Sequence, residues 1–330
     1  MQVLGFDIGG TKVIAGSYQV DGKELSLVAK ERFDSDGFAS LQAVATAFLE
    51  HHPMATIDAI GIGVAGPVLG NEAKVTNLPW TVNTTDLAAT GCSEVTLIND
   101  LQAHAYGLFV HAKDQFVSLN RGEPLAGNKG IVAPGTGLGE AVLYYYEPRQ
   151  TWVPSATEGG HTDFGPFDEF DDHYLQFLRR RYGGRISQER VVSGGEGFAN
   201  LYDFLVKEKG AEEVPGVEPT ESCGPALVAA AVHDNHPTAV KVMERFVIYL
   251  GREAANLALK GLTTGGLYLA GGVTSGILPW LKEEAFLEAF TDKGRFAGML
   301  RHMPVDVVTD PDNGLRGAVY AASLRTMKGE

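Results

Sequence analysis

Cysteine is scarce in this chain, two residues (Cys92 and Cys223) in 330. Two thiols cannot build a disulfide framework or a four-thiolate zinc site, and they suit a reducing cytoplasm. Positive charge is also in deficit: 27 Lys and Arg stand against 41 Asp and Glu, a formal net charge of −14. That balance argues against a broad nucleic-acid or anionic-membrane surface, though not against one anion held in a local pocket. No apolar run approaches the ~18 residues needed to span a bilayer. The first residues have no basic start, and Asp7 and Gly9-Gly10 break their apolar stretch, so they do not read as a signal peptide. The expectation is a cytoplasmic protein with neither nucleic acid nor membrane as partner. Three catalytic signatures are missing too: the Walker G-x-x-x-x-G-K-[ST], His-Glu-x-x-His and Gly-x-Ser-x-Gly. Their absence excludes a P-loop nucleotide site, a helical zinc-protease site and a nucleophile elbow.

What is present is an ordinary globular composition, 44% hydrophobic and 21% charged. A chain of 330 residues exceeds one ordinary core, so two lobes are expected. Residues 3–8 and 12–18 read as two strands of a hairpin, and 25–33 as a third strand. Leu41, Val44, Phe48 and Leu49 recur at helical spacing within 37–52. Strands follow at 57–68 and 94–100, then a helix at 101–110. This progression begins an α/β lobe. A second unit repeats the device at 129–147, strand, Gly-rich turn, strand. It continues with an amphipathic helix at 244–262, a strand, Gly-Gly turn and helix at 266–281, and a strand, loop and closing helix at 305–327. The acidic segment 207–222 carries two prolines and reads as an exposed loop. His233 and His236 lie on a polar stretch with no third ligand and read as solvent-facing.

Three glycine-rich turns suggest phosphate handling. In "DIGGTK" (7–12), Gly9 and Gly10 leave no Cβ in the way of a ligand, and successive N–H groups there can form an anion-binding concavity. Thr11 adds a hydroxyl, and Asp7 can hold Mg²⁺ through water. A plain hairpin with a solvated Asp explains the same residues. "PGTGLGE" (134–140) resembles a dinucleotide fingerprint, but that motif must open a helix, and "AVLYYYE" is strand-like. A hairpin turn offering Gly135, Thr136 and Gly137 to phosphates fits better. Gly271-Gly272 in "LAGGVTSG" follows a strand and precedes a helix, leaving backbone on which a flat base can pack.

A second group of residues suits a polyol. Asn99-Asp100 ends a strand, where ligands of α/β sheets bind. A carboxylate there can accept a hydroxyl proton during phosphoryl transfer. An isolated Asp at that place would instead serve as a helix N-cap. Glu158 and His161 flank Gly159-Gly160, Glu189 precedes a Ser-Gly-Gly, and Asn77 comes with Trp80 as a possible apolar wall. Sugar hydroxyls both donate and accept, so carboxylates, amides and an imidazole recognise them better than positive charge does.

The order "DIGGTK … TNLPW … LINDLQAHA … APGTGLG … EGGHTDFGP … ERVVSGGEG … LAGGV … DNGLRGA" resembles bacterial glucokinases of the hexokinase–actin–Hsp70 superfamily, over about residues 3–320. "EGGHTDF" with "ERVVSGG" is the specific part. The resemblance implies an α/β, two-lobed actin-like ATPase fold with ribonuclease-H-like topology and an inter-domain cleft, as a homodimer. A small domain would span 1–110, with a C-terminal helix at about 315–330 packing back on it, and a large domain 111–314. Asp100 would be the catalytic base, and Asn77, Asn99, Glu158, His161 and Glu189 would bind sugar with it. Asp7, Gly9, Gly10, Thr11, Lys12, Gly135, Thr136 and Gly137 would face ATP phosphates and Mg²⁺, and Gly271-Gly272 adenosine. The expected reaction is ATP-dependent phosphorylation of glucose at its 6-hydroxyl, with lobe closure excluding water. Another hexose, ADP or polyphosphate as donor, a sugar-sensing regulator and a chaperone-like ATPase are the alternatives. The neighbouring repressor and sugar-kinase family carries a Cys-rich zinc motif after its sugar-binding His. No Cys lies between Cys92 and Cys223, so that zinc is not expected.

Overall fold

A computed structural model describes residues 1–75 and 78–326. The chain divides into two compact units, Met1–Gln115 with the chain from Asp310 on, and Phe116–Thr309.

In the first unit, alternating and continuous apolar runs form strands β1 (Gln2–Ile8), β2 (Lys12–Asp21) and β3 (Glu24–Asp34). Helix α1 (Leu41–His51) follows, capped by Ser40, whose Oγ accepts from the Ala43 N–H at 3.3 Å. It buries Leu41, Val44 and Phe48, the stripe its spacing predicts. Strand β4 (Ala59–Val64) is shorter than the predicted 57–68, because the chain leaves the sheet at Ala65-Gly66, with Gly66 at φ 140°. Three short strands, β5 (Val68–Leu69), β6 (Glu72–Lys74) and β7 (Thr81–Asn83), form a separate small sheet. Strand β8 (Val95–Asn99) leads into α2 (Asp100–Gly107). The main sheet has the order β3-β2-β1-β4-β8. The β1–β2 and β2–β3 pairs are antiparallel, while β1, β4 and β8 run parallel.

The closing helix (Asn313–Thr326) lies on this sheet beside α2 at backbone contact. A Cβ placed on Gly61 of β4 would overlap the Ala318 carbonyl, and one on Gly317 would overlap the Ala103 carbonyl of α2. Leu315 and Val319 fill the seam, fully buried. Trp80 is 4% exposed and packs into the core of this unit with Phe6, Phe48 and Leu97, so it is core rather than the wall of a pocket.

The second unit repeats the strand plan. Strand β9 (Phe116–Asn120) precedes the meander β10 (Lys129–Pro134), β11 (Leu138–Tyr146) and β12 (Thr151–Thr157). Helices α3 (Glu169–Tyr182), α4 (Glu196–Lys209), α5 (Gly224–His233) and α6 (Pro237–Gly261) follow. Next come β13 (Leu267–Leu269), α7 (Gly272–Gly276), α8 (Leu278–Leu281), α9 (Glu284–Thr291), α10 (Ala297–Arg301) and β14 (Val305–Val308). The sheet order is β12-β11-β10-β13-β14-β9, with β10, β13 and β14 parallel. Helix α6 starts seven residues before the predicted 244, because His236-Pro237 supplies its cap. The His236 Nδ1 accepts from the Thr238 N–H at 3.3 Å. The segment 207–222 ends α4 and continues as the mostly exposed loop expected, anchored near Val214. Val214 is 4% exposed, and the Tyr202 hydroxyl accepts from its N–H at 2.9 Å. Thr238 Oγ1 donates to the Glu212 carbonyl at 2.6 Å.

If backbone contact at Gly61 sets the seat of the closing helix, Gly61→Ala should destabilise the protein by about 2–3 kcal/mol, an overpacking cost. Gly37→Ala, at an open position, should stay within about 0.5 kcal/mol of wild type. Urea unfolding midpoints of the two variants make the comparison.

Candidate active site

Parallel pairing brings the ends of β1, β4 and β8 to one edge of the first sheet. Asp7 pairs with Gly63, and Gly63 with Ile98, so Asp7 stands two strands from the Asn99-Asp100 tip. Adjacent strands lie ~4.8 Å apart, so the two backbones are separated by about 10 Å.

At that tip the helix cap is Asn99, not Asp100. Asn99 Oδ1 accepts from the Leu101 N–H at 2.8 Å, and Gln102 Oε1 completes a capping box. Asn99 Nδ2 donates to the Gly66 carbonyl at 3.1 Å, which ties β8 to the turn after β4. Asp100 is therefore the first helical residue, half-buried, with Oδ1 2.9 Å from the Leu101 N–H.

The turn after β1 is closed by Gly9 N–H donating to the Lys12 carbonyl at 2.9 Å, and Thr11 and Lys12 are exposed. Neither Gly9 nor Gly10 has a left-handed backbone, so the turn itself does not require glycine there. Asp7 lies against the first turn of the closing helix, where a Cβ on Gly314 would be 3.1 Å from Asp7 Oδ2. Desolvation pushes the Asp7 carboxyl above its ordinary range, opposed by His104 and Lys12. Among the described residues Asp7 makes no ion pair.

Behind it sits a polar cluster that the sequence reading did not single out. Asn313 Nδ2 donates to His104 Nδ1 at 2.8 Å, and His111 Nε2 donates to Asn313 Oδ1 at 2.6 Å. Accepting that bond leaves His104 Nδ1 without a proton, in keeping with burial holding its pKa below the usual histidine range. His104 and Asn313 lie in the "LQAHA" and "DNGLRGA" stretches. A buried amide some 200 residues along the chain from the two imidazoles it bridges leaves no local pattern to find.

In the second unit, three glycine segments meet backbone to backbone. Gly135 N–H donates to the Gly137 carbonyl at 2.9 Å, closing the β10–β11 turn. Gly194 N–H donates to the Gly135 carbonyl at 2.8 Å, and a Cβ on Gly195 would stand 2.8 Å from the Thr136 carbonyl. Gly271, the N-cap of α7, holds φ 93°, which requires glycine, and a Cβ on it would lie 3.1 Å from the Pro134 carbonyl. Gly135 and Gly272 differ: nothing lies within 4 Å of a Cβ on either. The fold leaves room for a side chain at both. The Gly194-Gly195 pair follows Ser193 and precedes α4. Its junction with α4 is the signal that places it here.

Glu158, His161 and Glu189 come together beside this turn. His161 Nδ1 is 3.2 Å from Glu189 Oε1, and Nε2 is 3.8 Å from Glu158 Oε2. A Cβ on Gly137 would be 3.5 Å from Glu189 Oε2. Glu158 and His161 are more than half exposed and Glu189 a quarter, so all three can reach a ligand. The short helical turn Gly159–His161 is pinned to the 186–190 segment. Gln188 N–H donates to the Thr162 carbonyl at 2.8 Å, and Phe164 N–H to that of Ile186 at 2.9 Å. Asn77, the remaining sugar candidate, lies outside the described residues. Each unit thus presents carboxylates next to a glycine-rich turn, a pattern suited to a polyol and a polyphosphate.

The comparisons with known proteins agree with this chemistry. The glucokinase family model matches residues 4–325. A glucokinase of Trichormus variabilis is 36% identical, the match covering 97% of this chain and 98% of that one. The crystal structure of a glucokinase from an Antarctic psychrotroph superposes with a TM-score of 0.82 at 28% identity, covering 98% of both chains. A ROK-family glucokinase from Streptomyces griseus, solved with glucose and AMPPNP, gives a TM-score of 0.66 at 20% identity, covering 98% of this chain and all of that one. Sequence match along nearly the full length, the shared two-unit α/β plan and the clustered carboxylates and glycines lead to one conclusion: the chain belongs to the glucokinase family, enzymes that phosphorylate glucose.

Proposed function

We propose that ATP is the phosphoryl donor and that Asp100 is the general base acting on the 6-hydroxyl of glucose. The observation that carries this reading is the His161 imidazole set between the Glu158 and Glu189 carboxylates, at 3.8 and 3.2 Å, beside the open Gly135–Gly137 turn. It puts groups for sugar hydroxyls next to groups for phosphate in one unit. Asn99, Asp100 and, from its sequence context, Asn77 complete the sugar contacts. Asn99 has an amide hydrogen left to give after its bond to Gly66.

In the step itself, the 6-oxygen forms a bond to the γ-phosphorus as the bond from that phosphorus to the β–γ bridging oxygen breaks. ADP leaves with the electron pair. The hydroxyl proton passes to the Asp100 carboxylate. Phosphoryl transfer asks little covalent chemistry of the protein, so orientation and charge stabilisation supply most of the rate. N–H groups of the Gly9–Thr11 and Gly135–Gly137 turns, the Thr11 and Thr136 hydroxyls and the Lys12 ammonium would receive phosphate oxygens. Gly271-Gly272 would face adenosine, and the bareness of Gly272 suits a flat base.

Asp7 would hold Mg²⁺ through water. The fit rests on its desolvated carboxylate, which has no ion-pair partner among the described residues and would gain from a cation beside it. Bound there, Mg²⁺ would neutralise charge on the transferring phosphates.

The actin-like, ribonuclease-H-like assignment belongs to the same proposal. Its support is the repeated strand plan, β3-β2-β1-β4-β8 in one unit and β12-β11-β10-β13-β14 in the other. A homodimer is the proposed assembly. Tyr144, Tyr146 and Val153 are about half exposed near the edge strand β12, where Tyr144 pairs with Val153. An apolar edge of that kind is commonly covered by a partner. The buried free thiols of Cys92 and Cys223 suit the cytoplasm.

Asp100→Asn should lower kcat by about 10³-fold or more while glucose affinity stays within about threefold. His161→Ala should raise the KM for glucose by roughly 10–100-fold with a smaller effect on kcat. Steady-state kinetics with ATP, ADP and polyphosphate as donors, and glucose binding by calorimetry, check both. Near-normal turnover of Asp100→Asn would remove that residue from the base role, and faster turnover with ADP or polyphosphate would replace ATP.

A further inference from the structure

Two carboxyl groups are sealed inside the second unit, Glu140 of β11 and Glu253 of α6, at 2% and 1% exposure. They are hydrogen-bonded to each other. Two buried carboxylates in contact cannot both be ionised without large cost, so a proton between them is the economical state. The polar partners say the same. Glu140 Oε1 and Glu253 Oε1 are buried and find no other donor in the protein, the deficit a shared proton would fill. Glu253 Oε2 accepts from Asn256 Nδ2 at 2.9 Å, and Asn256 Oδ1 accepts from Lys293 Nζ at 2.8 Å. Glu253 therefore faces the donors and Glu140 keeps the proton. Lys260 of α6 is the remaining charge that acts on both, and Lys293, beyond α9, acts on Glu253.

The pair lies under the turn that carries two of the sugar candidates. A Cβ on Gly159 would overlap the Glu140 carboxyl. Thr157 Oγ1 donates to the Glu140 carbonyl at 3.2 Å and accepts from the Gly159 N–H at 3.2 Å. Backbone and side chain of Glu140 thus form the floor on which Glu158, Gly159 and His161 rest. Nothing in the phosphoryl transfer uses either carboxyl.

We propose that Glu140 is a positioning residue for glucose: one proton shared with Glu253 seats the Glu158–His161 turn, and loss of that proton unseats it. The proposal rests on reading Glu158 and His161 as sugar ligands. Burial and the Glu253 charge push the Glu140 carboxyl up to about 8. The pair therefore keeps its proton through neutral pH. As pH rises through about 8 both groups ionise, and their repulsion pushes on the turn. The effect falls on sugar binding more than on the chemical step.

The test compares wild type, Glu140→Gln, Glu140→Ala and Glu253→Gln between about pH 6.5 and pH 9.5. Glucose KM and kcat are read alongside the infrared absorption of a protonated carboxylic acid. In wild type, KM is expected to be flat below about pH 8 and to rise tenfold per unit above it, with kcat changing far less. The infrared band should fade over the same range. Glu140→Gln keeps a permanent donor toward Glu253, so its KM should lose the alkaline rise and the band should be gone. Glu140→Ala should raise KM at every pH, which makes recovery by Gln the mark of a donor rather than of mere bulk. Parallel KM profiles in wild type and Glu140→Gln would overturn the proposal, as would a wild type with no protonated-acid band. Should Glu140→Gln fail to fold, Glu253→Gln makes the same comparison from the other partner. A His161→Ala protein with unchanged glucose affinity, with the band still present in wild type, would locate the failure in the sugar-ligand reading instead.

Discussion

Backbone contact between the closing helix, α2 and the first sheet is the constraint on which the catalytic edge depends. It is possible because Gly61 and Gly317 leave carbonyl oxygens of Ala318 and Ala103 where side chains would otherwise stand. The same seam carries Asn313 between His104 and His111, and Gly314 against the Asp7 carboxyl. A helix held at ordinary side-chain distance would withdraw from Asp7 and leave the histidine pair without its amide. The strand register then does the rest. Because β1, β4 and β8 are parallel, their carboxyl ends share one edge, where α/β sheets place ligands.

The second unit solves a similar problem with glycines at a turn. Gly194 donates to the Gly135 carbonyl and Gly271 packs on the Pro134 carbonyl, while the Cβ positions of Gly135 and Gly272 stay open. Successive N–H groups in such a setting can recognise phosphate, so a net charge of −14 does not bar a local polyanion site. Sugar recognition follows the same economy. In the proposed sugar site His161 stands 3.2 Å from the Glu189 and 3.8 Å from the Glu158 carboxylate, and a misplaced hydroxyl would leave one of these groups unpaired. The buried Glu140–Glu253 pair beneath extends this logic by one layer, using a proton rather than a side chain as the spacer.

Much of this was legible in the residues. The 3–18 hairpin and the 129–147 hairpin follow from apolar strands around glycine turns, and α1 from its Leu41, Val44, Phe48 stripe. Glu158, His161 and Glu189 could be grouped because polar residues beside Gly-Gly pairs are poor core formers. The misses share a cause. Trp80 reads the same from sequence whether it lines a pocket or fills a core, and it fills a core. The acidic, proline-bearing 207–222 segment is the mostly exposed loop it reads as, but its anchor, Val214 beneath Tyr202, could not be read. Asn99 took the cap that Asp100 would have filled alone, a choice set by one residue of helix register. Glu140 and Glu253 read as ordinary polar residues of a strand and a helix. Only tertiary packing buries them together.

The central proposal is that Asp100 takes the proton of the glucose 6-hydroxyl. A crystal structure with glucose and a non-hydrolysable ATP analogue tests it most directly. If Asp100 is the base, the 6-oxygen lies about 2.6–3.2 Å from one of its carboxylate oxygens. A sugar held by Glu158 and His161 with its 6-oxygen turned away from Asp100 would contradict it, as would a sugar bound apart from both.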